Sequence, residues 1–209
     1  VVVIAPPPPS RPPNPLHYTL PSGSYLIRIF NPTRHNTQAL TFRHYGPINR
    51  FDHQQITFTG EPADDLDRGI WYAGFTLSCC LVEYFGDSGV IEIKDEQVAH
   101  IQLKRDLHLL DLRGPGSLRA GSVAALAKVA DRAFSQTWSR YFYEQTAIYG
   151  TPDGICYFNA HNDEAAIALY ERSKDALSCP DTQILNLNHP SLRPAIQQAA
   201  LDNNLDFLP

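Results

Sequence analysis

Two hydrophobic periods meet between positions 69 and 86, where the chain reads GIWYAGFTLSCCLVEYFG. Positions 69–73 hold bulky residues that favour a strand, and Gly74 punctuates them. Beyond Thr76 the period lengthens. Leu77, Cys80, Leu81 and Tyr84 recur at i, i+3, i+4 and i+7, the stripe of a helix facing a core. Thr76 is placed to cap that helix and Gly86 to end it. Glu83 lies off the stripe, on the face of Thr76 and Cys79. Tyr72 follows Trp71 in the strand, so the two point to opposite faces. Taken alone, the plainest account of this unit is a core Tyr and a surface Glu. It can also aim a ring and a carboxylate into one space.

The remaining pattern predicts strands and helices without regular βαβ alternation, which indicates an α+β fold. Positions 24–31 alternate as a strand, with Tyr25, Ile27 and Ile29 on one face and Leu26, Arg28 and Phe30 on the other. A guanidinium between two apolar neighbours needs an anionic or carbonyl partner, so Arg28 marks either an internal ion pair or an anion site. Positions 31–68 lack a strong period and are broken by Asn31-Pro32, Gly46-Pro47 and Glu61-Pro62. Within them 49–52 is a polar loop carrying Arg50, with Arg34 and Arg43 as competitors for its role. The acidic patch at Asp64, Asp65 and Asp67 lacks the Gly and closing Glu of a calcium loop and reads as a solvated turn. Further strands are expected at 88–94, 107–112, 154–159 and 183–188, with 97–103 ambiguous. Helices are expected at 122–130, 134–145, 163–173 (capped by Asn162) and 191–202. Tyr157 and Asn159 share a strand face, and Trp138, Tyr141 and Phe142 have the spacing of core residues on a helix.

Length and composition narrow the picture. The 209 residues suit one large domain, here 22–209, preceded by a proline-rich arm over 1–21. Seventeen basic against twenty-two acidic residues leave a net charge of -5, which argues against general affinity for nucleic acid. No apolar run is long enough to span a bilayer, and positions 1–13 lack the basic start and cleavage pattern of a signal peptide. A cytoplasmic protein with no membrane contact is expected. Cys79, Cys80, Cys156 and Cys179 form no C-x-x-C pair and read as free thiols. The absence of Met, even at position 1, suggests that the natural start is missing.

The chain has no G-x-S-x-G, H-E-x-x-H, G-x-G-x-x-G or Walker loop, and its eight His never fall at the helical spacing of metal ligands. No metal site is expected. What remains is a polar set: Arg28, Arg50, Tyr72, Glu83 and the region of Asn159. Two Arg suit a pyrophosphate or carboxylate, and a Tyr can stack on a flat heterocycle. A Glu can hydrogen-bond a ribose hydroxyl and stabilise an oxocarbenium-like transition state. Together they suit cleavage of an N-glycosidic bond in a dinucleotide.

The ordered series YLIRIF, NRFD, GIWYAGFTLSCCLVE, LLDLRGPG and DGICYFNAHNDEAAIALYER resembles the RES domain, a family named for Arg, Glu and Ser positions. The resemblance runs over about residues 24–175. It implies an ADP-ribosyltransferase-like fold with a split, mainly antiparallel β core flanked by helices. Studied members are toxins of bacterial toxin–antitoxin pairs that destroy NAD by hydrolysis or phosphorolysis. An Xre-type antitoxin neutralises them, and they often dimerise. NAD is then the substrate, and no cofactor is implied. By position Arg28 is the motif Arg holding phosphate, Arg50 the second Arg, Tyr72 the flank of the nicotinamide ring and Glu83 the motif Glu. Asn159 stands where the family reads Ser after Y-x. Two readings follow: an NAD glycohydrolase or phosphorylase, or a module of the same fold that binds nucleotide or protein without turnover.

Overall fold

The computed structural model describes residues 3–208. Its first half holds β1 (His17–Leu20), β2 (Tyr25–Phe30), β3 (Tyr45–Gly46), β4 (Ala63–Asp64), β5 (Ile70–Gly74), α1 (Leu77–Phe85), β6 (Val90–Glu92) and β7 (Gln97–Leu103). The second half holds β8 (Leu107–Asp111), α2 (Gly116–Arg119), α3 (Arg132–Glu144), α4 (Thr146–Tyr149), β9 (Gly154–Phe158), β10 (Ala165–Tyr170), β11 (Leu177–Ser178), β12 (Ile184–Asn186), α5 (Arg193–Asp202) and β13 (Asp206–Leu208). The main sheet runs β1-β8-β9-β10-β5-β2-β7-β11, with β12 also on β7. Its pairs are antiparallel except β8–β9.

The sheet is split at one place. β10 pairs with β5 along five residues, and β2 pairs with β7 along six, but β2 meets β5 only at Ile27 and Gly74. Beyond that point the two strands diverge, and α1 leaves the end of β5. Gly74 is the hinge by necessity, since a side chain there would sit 2.9 Å from the Cys80 sulfur and 3.0 Å from the Cys79 Cβ. This is the mixed, split and mainly antiparallel architecture of an ADP-ribosyltransferase-like fold.

The strands around the split are covered on both faces. Trp71 and Ala73 of β5, with Ile167 and Leu169 of β10, enter one core. Ile70 and the partly buried Tyr72, with Ala166, Ala168 and Tyr170, enter a second core closed by Trp138 and Phe142 of α3. A third lies between α1, α5 and the β2–β7 half, built on Leu81, Phe85, Val98 and Ile196. β2 keeps the expected alternation: Leu26 and Phe30 enter the first core, and Ile27 and Ile29 pack on the third.

Three expectations are corrected. The stretch 163–173 is not a helix: residues 165–170 are β10, the central strand between β9 and β5. A strand buried on both faces is a continuous apolar run, and AAIALY carries no period to separate it from a buried helix. Asn162 caps nothing; its side-chain oxygen accepts the Glu164 backbone N–H at 3.2 Å, forming a turn, and Asp163 has φ 63°. The Ala-rich stretch 122–130 forms only a 3-10 turn at Ala124–Ala127. Alanine propensity over so few residues does not offset helix nucleation, and burial of Leu126 and Ala127 decides the local path. The strand expected at 88–94 shrinks to β6, which pairs with β13 outside the main sheet. The ambiguous 97–103 is the strand β7.

The proline-rich segment lies along the body of the fold. The Ala5 carbonyl accepts the Trp138 indole N–H at 2.9 Å, and Asn14 exchanges hydrogen bonds with Arg119. Its last residues form β1, the edge strand on β8. All four cysteines are free. Among the described residues no helix is long and apolar enough to cross a membrane.

The sheet is tied to its surroundings by the Glu171 carboxylate, just past β10. It accepts the His53 Nε2–H at 3.0 Å, the Gly69 N–H at 3.2 Å and the Tyr143 hydroxyl at 2.7 Å. Burial opposes ionisation of Glu171, but the His53 and Tyr143 hydrogen bonds outweigh it and hold the carboxyl at about 2. Burial likewise pushes His53 below the usual imidazole value, so the neutral ring is the donor. Both groups bind fewer protons folded than unfolded, so both withdraw stability as pH falls. Unfolding by urea at a series of pH values should show stability lost as pH falls below 6.5, where His53 protonates in the unfolded chain, and lost further between about 4.5 and about 2 through Glu171. Glu171→Gln should flatten that slope.

Candidate active site

The divergence of β2 from β5 opens a cleft of about 930 Å³. Its walls come from β2, the 35–50 segment, β5, α1, the end of β9 and the 159–164 loop. Arg28, Arg50, Tyr72 and Glu83 all line it. They come from four separate segments.

Arg28 projects from β2 on the face of Leu26 and Phe30. Its Nη1 donates to the carbonyls of Ala39 at 3.2 Å and Thr41 at 3.0 Å, and its guanidinium lies 5.3 Å from the centre of the Trp71 ring. The Trp71 indole N–H shares the Ala39 carbonyl at 2.8 Å. Burial and then the neighbouring Arg43 pull the guanidinium down to about 10, so it stays charged at neutral pH. Among the described residues it forms no ion pair with a carboxylate. Of the two kinds of partner the sequence allowed, anionic or carbonyl, the structure supplies carbonyls.

The opposite wall depends on a residue that the sequence did not single out. Asp52 has no exposed surface. Its carboxylate accepts two bonds from Arg43 Nη2 at 2.8 and 2.7 Å, the backbone N–H groups of Ile48 at 2.5 Å and Asn49 at 2.7 Å, and the Tyr72 hydroxyl at 2.8 Å. The same hydroxyl accepts the Phe51 N–H at 3.1 Å. Tyr72 therefore spends its polar atom inside the wall, and what it offers the cleft is its ring. Burial and the adjacent Asp52 push its phenol well above the usual range, so it stays neutral. Arg43 is committed to Asp52, and the other competitor of Arg50, Arg34, is not among the residues that line the cleft. Arg50 donates to the Val129 carbonyl and, like Arg28, forms no ion pair among the described residues.

Glu83 opens into the cleft from α1. Thr76 caps the helix as expected, its hydroxyl accepting the Cys79 N–H at 2.9 Å, and Gly86 ends it. The buried side of α1 is wider than one stripe, since Cys79, Val82 and Phe85 are buried with Cys80 and Leu81. Glu83 is an exposed residue at the mouth of the cleft, and the protein packed around its carboxyl still raises it above the usual value. His161, Arg50 and the Ala160 N–H pull it back, and Asp87 adds to the rise.

Asn159 does not line the cleft. It is fully buried, and its amide nitrogen donates to Asn162 Oδ1 at 2.7 Å and to the Cys79 sulfur at 3.4 Å. Its oxygen accepts the backbone N–H groups of His161 and Asn162, both at 2.9 Å. Every polar atom is used in shaping the 159–162 loop. Tyr157, two residues earlier, reaches the cleft and packs on Phe51 with ring centres 4.6 Å apart. The residues that the sequence reading missed are Asp52 and His161. An Asp one residue after Phe51 in NRFD, and a His in a loop beside an expected site residue, were the available signals.

Comparison with known proteins bears on the fold and the family. The family profile described as RES domain matches residues 25–190. The chain is 31% identical over 90 residues to "Probable toxin y4kH" of Sinorhizobium fredii (strain NBRC 101917 / NGR234), a stretch covering 43% of this chain and 68% of that protein. The fold matches a chain in the crystal structure of the M. tuberculosis MbcT-MbcA toxin-antitoxin complex with a TM-score of 0.58 and 15% identity, covering 86% of this chain and 92% of that one.

Asp52→Ala removes the acceptor of five hydrogen bonds from four donors and leaves Arg43 without its carboxylate. It should destabilise the protein by roughly 3–5 kcal/mol in urea unfolding. Tyr72→Phe deletes one of those bonds and should cost about 0.5–1.5 kcal/mol.

Proposed function

The chain belongs to the RES domain family, and on that premise we propose that it is the toxin of a toxin–antitoxin pair and degrades NAD at the nicotinamide–ribose bond. One observation carries the reading. Arg28, Arg50, Tyr72 and Glu83 converge on a single cleft, and among the described residues both guanidiniums give their hydrogen bonds to backbone carbonyls and to no carboxylate. A carbonyl orients a guanidinium without cancelling its charge. Such cations remain free to hold an anionic ligand, and a pyrophosphate supplies the oxygens for both.

In this reading the pyrophosphate lies against Arg28 and Arg50, and the nicotinamide packs on the Tyr72 ring. Glu83 accepts a hydrogen bond from the nicotinamide ribose. Its negative charge stabilises the positive charge that develops on the sugar as the bond breaks. The electron pair of the C1′–N bond leaves with nicotinamide, which departs neutral. An oxygen of water or inorganic phosphate forms the new bond to C1′ and, for water, gives up its proton to solvent. An Xre-type protein that covers the cleft is the proposed antitoxin, in keeping with the toxin–antitoxin complex whose chain shares this fold. A cytoplasmic site of action follows from the substrate, and a homodimer belongs to the same proposal.

The burial of Asn159 favours a second reading. It offers no group to a ligand, so if the family Ser acts on the substrate directly, this chain is a binding module without turnover.

Free nicotinamide, followed during incubation with NAD, separates the two. Turnover is expected, and loss of a transition-state charge contact costs about 2.7–4 kcal/mol. Glu83→Gln and Arg28→Ala should therefore each release nicotinamide roughly a hundredfold more slowly. Unchanged rates in both variants would sink the assignment. A thermal shift with NAD and no nicotinamide released by the unaltered protein selects the binding module.

A further inference from the structure

Beneath Glu83 the 159–162 loop places an imidazole over the end of α1. Three features put it there. The Asn159 side-chain oxygen, fully buried, accepts the His161 backbone N–H at 2.9 Å. Gly86 leaves the space, since a side chain there would stand 2.7 Å from His161 Nδ1 and 2.9 Å from its Cε1. Asp87 faces the other nitrogen, with Oδ1 3.8 Å from Nε2. The ring also lines the cleft.

The Asp87 carboxylate thus lies on one side of the ring. Glu83 lies three residues before Gly86 on the same helix, so the ring stands beside the carboxylate that faces the ribose in the proposed reaction. We propose that His161 is a positioning residue of the cleft: held by Asn159 and admitted by Gly86, it supplies a positive charge that keeps the Glu83 carboxylate ionised and oriented. The charged or titratable groups facing this pair are Asp87 after α1, Arg50 from the loop opposite, Tyr157 of β9 and Cys79 of α1. Arg50 shares the task, and Asp87 opposes it at Glu83.

The inference gives Asn159 a role that needs no contact with substrate. Its amide fixes two successive backbone N–H groups, His161 and Asn162, while its nitrogen ties the loop to Cys79 on α1. A serine in this place has one oxygen and no amide to span both sides. The site is thus built around the pair Asn159 and His161 rather than around a hydroxyl.

The catalytic part rests on the proposed cleavage of NAD, so the test has two readouts. Carbon NMR of Glu-labelled protein, with the Glu83 resonance assigned by its absence in Glu83→Gln, follows the carboxyl titration in the ligand-free state. Nicotinamide release across pH follows turnover. In His161→Gln the Glu83 midpoint should move to higher pH, because the charge that favours the carboxylate is gone, and turnover should drop several-fold at acid pH. His161→Arg should restore both. A midpoint that stays in place in a folded His161→Gln protein overturns the inference, as does a shift that His161→Arg fails to reverse. If the midpoint moves as expected but the unaltered protein releases no nicotinamide, the role of His161 stands and the reading of the function fails.

Discussion

A carboxylate with no exposed surface costs several kcal/mol to desolvate unless its oxygens are fully met. At Asp52 they are met by a forked Arg, two backbone amides and a phenol. Those donors come from the 43–49 stretch just before Asp52 and from β5. The segment between β2 and β5 has only the two-residue strands β3 and β4, and so has few ladder hydrogen bonds to hold its path. Asp52 replaces that ladder with charge. Pairing it brings Arg43 across the loop, closes the turn at Ile48 and Asn49, and locks the Tyr72 hydroxyl inward. One wall of the cleft is the by-product of satisfying a single buried anion.

The opposite wall follows from sheet geometry. Two halves of a sheet joined by one residue pair cannot stay parallel past the joint, and the gap between them is filled at its far side by α1. Arg28 sits on the strand that turns away, Tyr72 on the strand that stays, and Glu83 on the helix that bridges them. The cleft therefore gathers cations in a chain whose net charge is -5. Net charge bears on nonspecific association, whereas ligand choice is made by which charges remain unpaired at one concave surface. Arg43 shows the difference: it lines the cleft, yet its charge is matched by Asp52.

Asn159 and Glu83 illustrate two ways of serving a site. Glu83 faces the ligand space, while Asn159 lies behind the wall and works through what it holds in place. The 159–162 loop carries an imidazole to the end of the helix that bears the carboxylate.

Periodicity and capping determined much of this protein in the sequence alone. The alternation in YLIRIF, the strand-to-helix unit at 69–86 with its Thr76 cap, and the α+β character are local properties, set by backbone geometry and by which side chains can share a face. The ordered motifs also marked Arg28, Arg50, Tyr72 and Glu83 as a set, and the fold brings them to one cleft. Only the tertiary structure decided whether AAIALY became a helix or a strand, because a segment buried on both faces carries no period and its neighbours β9 and β5 supply the hydrogen bonds. It also decided where Asp52, Asn159 and His161 lie and what they touch. Whether a polar residue is spent inside a wall or offered to a ligand depends on partners far away in the chain, and no local pattern records where those partners will be.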